Sequence, residues 1–341
     1  MLDFSVIIPT YNNRSALSRT LPALLAQQFP RRRYEIIVLD DGSTDGTREF
    51  VDSLSAPTTV RYRWQPNRGR AAARNAGARL AAGRILLFLD SDILVGGDLI
   101  ARHARYYEQQ PGPVGVQGRT VIHPDSRRTL LMRTKDLAPD LTRRSRSDLS
   151  PYQLVTRNLS IRAEDLWAAG GFDETFVGYG WEDIDLGLRL RARGVKFFYD
   201  PAIVGYDCDA RTLDQARAKA RQAGESAFYF WRKHGSPLGM GLFLEIHPVL
   251  LPMKWLIYRA GPYGRLARRI LRWAERTESL WVASECYAYL FWEAYYAGVF
   301  PARGADAPDA GPVTARASRT GASSVGPSPQ APLPEAANVE P

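Results

Sequence analysis

Short apolar runs and helical patterns alternate from the start of the chain to about Leu89. The runs are Val6 to Ile8, Tyr34 to Leu39, Val60 to Trp64 and Ile85 to Leu89. Between the first two, Leu17, Leu21, Leu24 and Leu25 recur at helical spacing, with Pro22 inside the pattern; before the last lies an alanine-rich helical stretch, Ala71 to Ala82. Ile36, Ile37, Val38 and Leu39 are apolar at every position, as in a strand covered on both faces. That pattern predicts an α/β fold with a mostly parallel, Rossmann-like sheet flanked by helices.

A second half follows, with strands expected at Val114 to Gln117 and Val195 to Tyr199 and a helix from about Trp181 to Arg193 closed by Gly194. Pro124 to Pro151, rich in Arg, Asp and Ser, reads as a long functional loop. Beyond Arg211 the pattern becomes helical and aromatic to about Phe300. The last 41 residues hold eight of the 23 prolines and no aromatic residue, the composition of a disordered tail. The predicted divisions are therefore 1–206, with halves 1–95 and 96–206, then a helical module at 207–300 and a tail at 301–341.

Composition narrows the partners. Among 341 residues, 45 Lys and Arg face 36 acids, a formal net charge of +9. The tail holds three arginines against four acids, so the basic character belongs to the body. Such a body suits a phosphorylated substrate or an anionic membrane. Nucleic acid is not expected, because no aromatic RNA-binding sheet motif, zinc finger or helix-turn-helix pattern accompanies the charge. Two cysteines, Cys208 and Cys286, cannot make a disulfide framework and suit a reducing compartment, so the expected location is the cytoplasm. The amino terminus lacks the pattern of a signal peptide. The most apolar stretch, Leu280 to Phe300, is interrupted by Glu285 and Glu293, which argues against a membrane span.

Ligands of open α/β sheets sit outside the carboxyl ends of the strands. After the first run come Pro9, Thr10, Tyr11 and Asn12; after the second, Asp40, Asp41, Gly42 and Ser43; after the fourth, Asp90, Ser91 and Asp92. Three polar clusters on one rim point to a site. Asp90 and Asp92 offer hard oxygen ligands that suit Mg²⁺ or Mn²⁺ bound with substrate phosphates. Glu182, Asp183 and Asp185 open a helix, where acids are favourable by about 0.3–1 kcal/mol each. The Gly178, Tyr179, Gly180, Trp181 approach before them suits a pocket that admits a polar acceptor beside a general base. His103, His123, His234 and His247 show no paired spacing, which argues against a histidine metal centre.

Taken in order, these pieces resemble a family 2 inverting glycosyltransferase of the GT-A fold over Phe4 to Tyr206. Val6 to Asn12 is similar to its "VIIPTYN" opening, Asp40 to Thr44 to its "DDGST", and Asn67 to Gly77 to its "N-x-G-x(3)-A-R-N-x-G". Asp90 to Asp92 resembles its metal-binding DXD element, and Gly170 to Asp173 with Gly178 to Leu190 its late block containing an ED pair.

The resemblance implies a nucleotide-sugar site at Pro9, Thr10, Tyr11, Asp41, Arg74, Asp90 and Ser91, with Thr10 and Asp41 on the nucleobase and Asp90 near the ribose. Asp92 would ligate Mn²⁺ or Mg²⁺, with Asp90 and Asp207 as further ligands. Asp183 would be the general base, Glu182 its neighbour or rival, and Trp181 and Glu182 acceptor contacts. The donor would be a UDP-, GDP- or dTDP-sugar, and the acceptor a glycan or lipid-linked hydroxyl. The chain departs from the family's pattern at Asp207, where many relatives carry histidine; Asp209 could serve instead. That departure leaves a second reading, a catalytically weak module acting as a membrane-surface or assembly partner. Arg265, Arg268, Arg269, Arg272 and Arg276 interleave with Leu266, Ile270, Leu271 and Trp273, the pattern of a helix lying on an anionic membrane. A peripheral position on the inner face of the cell membrane follows from it.

Overall fold

The computed structural model describes residues 2–54, 60–134, 147–209, 211–258 and 263–302, all within one compact unit, Met1–Pro308. It opens with β1 (Phe4–Thr10), α1 (Arg14–Leu25), β2 (Tyr34–Asp40), α2 (Thr47–Asp52), β3 (Val60–Trp64), α3 (Arg70–Leu80) and β4 (Ile85–Leu89). The middle holds β5 (Ile93–Val95), α4 (Leu99–Gln109), β6 (Val114–Ile122), α5 (Leu130–Thr134), β7 (Asn158–Arg162), α6 (Ala163–Ala168), α7 (Glu182–Ala192) and β8 (Lys196–Asp207). Five helices complete it: α8 (Leu213–Lys233), α9 (Leu238–Phe243), α10 (Leu251–Tyr258), α11 (Tyr263–Arg276) and α12 (Leu280–Ala302).

The expected α/β layering is present, and the sheet is more mixed than its apolar runs suggested. Its order is β3-β2-β1-β4-β7-β6-β8-β5. The first four strands run parallel; β7 pairs antiparallel with both β4 and β6, and β5 pairs antiparallel with β8. The sequence reading lacked β5 and β7 and stopped β8 eight residues early. β7 alternates Leu159 and Ile161 with Asn158 and Ser160, yet all four are buried. The polar pair is satisfied by His103 of α4, whose ring nitrogens meet Ser160 Oγ at 2.8 Å and Asn158 Oδ1 at 3.1 Å. A strand whose polar side chains are buried against one histidine lacks the outline of a strand in sequence.

Every residue of β2 is buried, as its unbroken apolar run predicts, while edge strand β3 is part-exposed. One core face packs α1 and α4 on the sheet through Leu17, Leu21, Leu24 and Ile100; the other packs α3, α6 and α7 through Ala71, Leu166, Leu186 and Leu190. Pro22 sits inside α1 without ending it. The stretch read as a loop from Pro124 begins with a 3₁₀ turn, Pro124–Arg128, and α5; its residues 135–146 lie outside those described. The expected tail lies outside them too, apart from Pro301 and Ala302 at the end of α12.

α8 starts at a capping box in which Thr212 and Gln215 satisfy each other's backbone N–H groups. It lies along α12 in very close contact, for a Cβ on Gly224 would collide with the carbonyl of Tyr295 and one on Gly298 with that of Arg221. Around this pair Phe228, Phe230, Leu244, Ile246 and Tyr296 form a third core. α11 buries Gly264, Ala267, Leu271 and Ala274 towards α12.

Candidate active site

β1, β2 and β4 are neighbours in the sheet, so the residues following them emerge side by side. Thr10 lies in register with Asp40, and the Asp41 N–H donates to the Thr10 carbonyl at 2.9 Å. Asn13 Nδ2 donates to Ser91 Oγ at 3.0 Å, joining the β1 and β4 ends. Together they line a cleft of about 410 Å³ that includes Pro9, Thr10, Tyr11, Asp41, Ser91 and Asp92. Thr10 is 3% exposed, and its Oγ1 has no hydrogen-bond partner among the described residues. A buried hydroxyl left unpaired costs stability unless a ligand satisfies it.

Asp41 is set by the turn that follows β3. Its Oδ1 accepts from Gln65 Nε2 at 2.7 Å and the Arg68 N–H at 3.0 Å, and its Oδ2 accepts the Gly69 N–H at 2.9 Å. A carboxylate offers about four acceptor positions, so about one remains for a ligand. Burial pushes its carboxyl upward against those hydrogen bonds. Gly69 has φ +88°, and a Cβ there would run into the Val177 carbonyl. Only glycine fits that turn.

Arg74 of α3 stands at the floor of the site, 2% exposed. It reaches Asp90 at 3.1 Å, Glu182 at 3.3 Å and Asp183 at 3.5 Å. Burial opposes its charge, but Asp183, Asp90 and Glu182 overcome that and raise its pKa. It thereby ties the β4 end to the first turn of α7, at Trp181, whose own backbone is left-handed with φ +71°. Trp181 Nε1 donates to the Ala223 carbonyl of α8 at 2.7 Å, and its ring stacks on Phe230.

The two acids of α7 are held differently. Glu182 is buried, accepts the Gly180 N–H at 3.0 Å, and is pushed upward first by burial and then by Asp183. Asp183 accepts from Thr156 Oγ1 at 2.6 Å and the Thr156 N–H at 3.1 Å, which fixes its carboxylate at the wall of a second cavity. This cavity, about 280 Å³, is lined by Trp181, Asp183, Phe243, Phe291, Trp292 and Tyr295 among others, and shares Arg70, Arg74 and Asp90 with the larger cleft. The two spaces meet across the Arg74 knot.

Carboxylates gather on the other side of the cleft. Asp92 is pushed up to about 6 by burial and then by Asp90, Asp207 and Asp209, and no hydrogen bond or ion pair reaches its side chain from the described residues. Burial also acts to raise Asp90, but Arg74, Arg70 and Arg157 outweigh it and hold that carboxyl below its usual range. Asp207, at the end of β8 opposite Ile93, is shared by Arg157 at 3.2 Å and Arg211 at 3.3 Å. Among the described residues no three His, Cys, Asp or Glu side chains form a chelating group. The crowded, unpartnered Asp92 fits a divalent ion whose shell is completed by a ligand's oxygens rather than by protein alone.

All the residues expected at the site border one or both cavities, except Asp207, which sits beside them behind two arginines. Thr156, Lys219, Gln222 and the aromatic wall from α9 and α12 were missed. Thr156 carries no motif, and the others come from helices that follow α7 in the chain, from Lys219 in α8 to Tyr295 in α12, brought in only by packing.

A nucleotide-sized cleft at a strand switch point, joined to a second pocket by a buried acid cluster, defines a group-transfer enzyme of GT-A architecture. The family model described as glycosyl transferase family 2 matches residues 5–167, and that described as N-terminal domain of galactosyltransferase matches 144–209. Validoxylamine A glucosyltransferase of Streptomyces hygroscopicus is 31% identical over 302 residues, covering 80% of this chain and 67% of that protein. Pre-mycofactocin glycosyltransferase of Mycobacterium tuberculosis is 29% identical, covering 79% of this chain and 55% of that one. A mannosyltransferase from Pyrobaculum calidifontis, solved with GDP-Man and Mn²⁺, superposes with TM-score 0.59 at 20% identity over 87% of each chain. Staphylococcus aureus TarS superposes with TM-score 0.54 at 16% identity, over 87% of this chain and 55% of that one. The chain belongs to glycosyltransferase family 2.

Proposed function

We propose that the chain moves a sugar from a nucleotide-diphosphate sugar to a hydroxyl acceptor in one displacement that inverts the anomeric centre. The observation that carries this reading is the Arg74 knot, which puts Asp90 of the donor cleft and Asp183 of the second cavity on one guanidinium. The nucleoside occupies the cleft, with its base against Thr10 and the remaining acceptor position of Asp41. Asp90 and Ser91 lie along the ribose and diphosphate. The acceptor enters the smaller cavity against Trp181, and its hydroxyl gives its proton to Asp183, which Thr156 holds in place. Glu182 stays bound to the Gly180 N–H and Arg74 and positions the site. Positioning two reactants across one wall is the protein's main contribution.

Asp92, with Asp90, would hold Mn²⁺ or Mg²⁺, and Asp207 could join by releasing an arginine; the ion, when bound, stabilises negative charge on the diphosphate. The structurally similar mannosyltransferase, solved in complex with GDP-Man and Mn²⁺, supports this. UDP-, GDP- and dTDP-sugars are the donor candidates, and glycans or lipid-linked glycans the acceptors. Functionally, 1–206 would bind donor and carry the chemistry, while 207–300 would complete the acceptor pocket and meet the membrane. For that contact, α11 exposes Leu266, Ile270 and Trp273 beside Arg265, Arg269, Arg272 and Arg276. Among the described residues no helix is long and apolar enough to cross a membrane, so attachment would be peripheral.

The test is a panel of nucleotide sugars assayed with Mn²⁺, Mg²⁺ or EDTA, with product configuration read by NMR. Asp183→Asn should abolish transfer and keep nucleotide affinity. Wild-type transfer by that variant, or a retained anomeric configuration, would sink the mechanism. Sedimentation with anionic vesicles, but not with zwitterionic ones, tests the membrane contact.

A further inference from the structure

We infer that Lys219 of α8 and Arg70 of α3 together hold the donor's diphosphate, so that a helix outside the strand-end motifs stabilises the leaving group. This rests on the donor site proposed above and adds two residues to it.

Both cations converge on one aromatic ring. The Arg70 guanidinium lies 4.9 Å from the centroid of Tyr179, and the Lys219 ammonium lies 5.6 Å from it. Tyr179 sits between two glycines, Gly178 and Gly180, in the approach to α7, and lines the second cavity together with Arg70. Neither charge has a carboxylate to itself: Arg70 acts on Asp90 and Glu182 only from beyond ion-pair distance. Among the described residues no carboxylate lies within ion-pair distance of Arg70. The carboxylate nearest Lys219 is Asp209 Oδ2 at 3.8 Å, an oxygen that already accepts from Arg211 Nε at 2.9 Å. Lys219 thus shares one carboxylate oxygen with Arg211 and one aromatic ring with Arg70, an ammonium held among cations. Such a cluster favours an anion in the space between them.

Position selects which anion. Arg70 lines both cavities, so it stands between the nucleoside end at Thr10 and Asp41 and the base at Asp183; Lys219 lines the donor cleft with Asp92 and Gln222. The group lying between a nucleoside and a transferred sugar is the diphosphate. When the acceptor oxygen bonds to the anomeric carbon, the bond from that carbon to the diphosphate oxygen breaks and the electron pair departs with the oxygen. The acceptor's proton passes to Asp183. The negative charge gained by the diphosphate is met by the two cations. Lys219 thus contributes from α8, a helix that joins the strand-end carboxylates in lining the cleft.

The experiment measures binding of a nucleoside 5′-diphosphate and the matching 5′-monophosphate to the full chain by calorimetry, with UDP, GDP and dTDP tried in turn. Lys219→Gln should weaken the diphosphate about tenfold relative to the monophosphate, and Lys219→Arg should restore the ratio to within about threefold. Turnover of Lys219→Gln should fall with the acceptor KM unchanged. An unchanged ratio in Lys219→Gln, with wild-type thermal stability, overturns the inference while leaving the donor site standing. Failure of the wild-type chain to bind any of the nucleotides overturns the donor site itself.

Discussion

Arg74→Met tests the centre of the site most directly. The guanidinium is nearly inaccessible and is shared by Asp90, Glu182 and Asp183 at 3.1, 3.3 and 3.5 Å. Methionine fills most of the volume but leaves three carboxylates together with only the more distant Arg70 and Arg157 to answer them. Breaking a buried pair by removing one partner costs roughly 3–5 kcal/mol, a large share of the ~5–15 kcal/mol that holds a typical domain together. With a urea dependence of about 3 kcal/mol per molar, the midpoint should drop by about 1–1.7 M.

The sign with pH is also fixed. The orphaned carboxyls would titrate higher in the folded chain than their unfolded values near 4. Groups raised in this way favour the fold at low pH and lose that contribution as pH rises through the folded value. The variant should therefore regain more stability between pH 8 and pH 5 than the wild type, in which Asp92 is already raised to about 6. Adding Glu182→Gln removes one of the stranded charges, so the double variant should be less destabilised than the two single losses summed, by about 0.5–3 kcal/mol. A loss below about 1 kcal/mol for Arg74→Met, or strict additivity in the cycle, would refute the reasoning.

Three further outcomes follow from other parts of the site and core. Thr156→Val removes the hydroxyl 2.6 Å from Asp183 and should lower kcat about tenfold with donor affinity kept, while Thr156→Ser should retain activity; steady-state kinetics decide it. Gly69→Ala should lower nucleotide affinity at least tenfold, because its φ of +88° and the Val177 carbonyl exclude a Cβ, at a backbone cost of roughly 1–3 kcal/mol; titration with nucleotide checks it. His103 is lowered to about 4 by burial, so the unfolded chain binds its proton first: its contribution is present above about 6.5 and lost as pH falls towards 4, about 3 kcal/mol in all. Urea unfolding across that range should show the loss in the wild type and not in His103→Gln.

How much of this was legible in sequence depends on what each residue needs from its neighbours. The rims after β1, β2 and β4 could be read because each follows an unbroken apolar run, and parallel pairing then brings Thr10, Asp41 and Asp90 together. The acids of α7 announced themselves through their glycine-rich approach. β7 could not be read as a strand, since its buried Asn158 and Ser160 make sense only once His103 is seen against them. Thr156 likewise has no local signature; its value lies in a contact 27 residues away. Arg74 was read as part of the nucleotide-sugar site, near the donor's phosphates or sugar, and its three carboxylates became visible only with the fold. The basic stripe of α11 was legible as a pattern, but its exposed Trp273 and buried Ala267 depend on where α12 lies.

The glycine contacts between α8 and α12 bear on how this enzyme could be recombined with its relatives. One turn of α8 carries Lys219 and Gln222 into the larger cleft and Ala223 into the second cavity, while α12 supplies Phe291, Trp292 and Tyr295 to that second cavity. Because Gly224 and Gly298 leave no room for even one added carbon, a chimera that exchanged α12 alone would set foreign side chains against the Tyr295 and Arg221 backbone contacts. If the second cavity takes the acceptor as proposed, acceptor preference would be inherited as a block, both helices together, with the crossover point before Thr212.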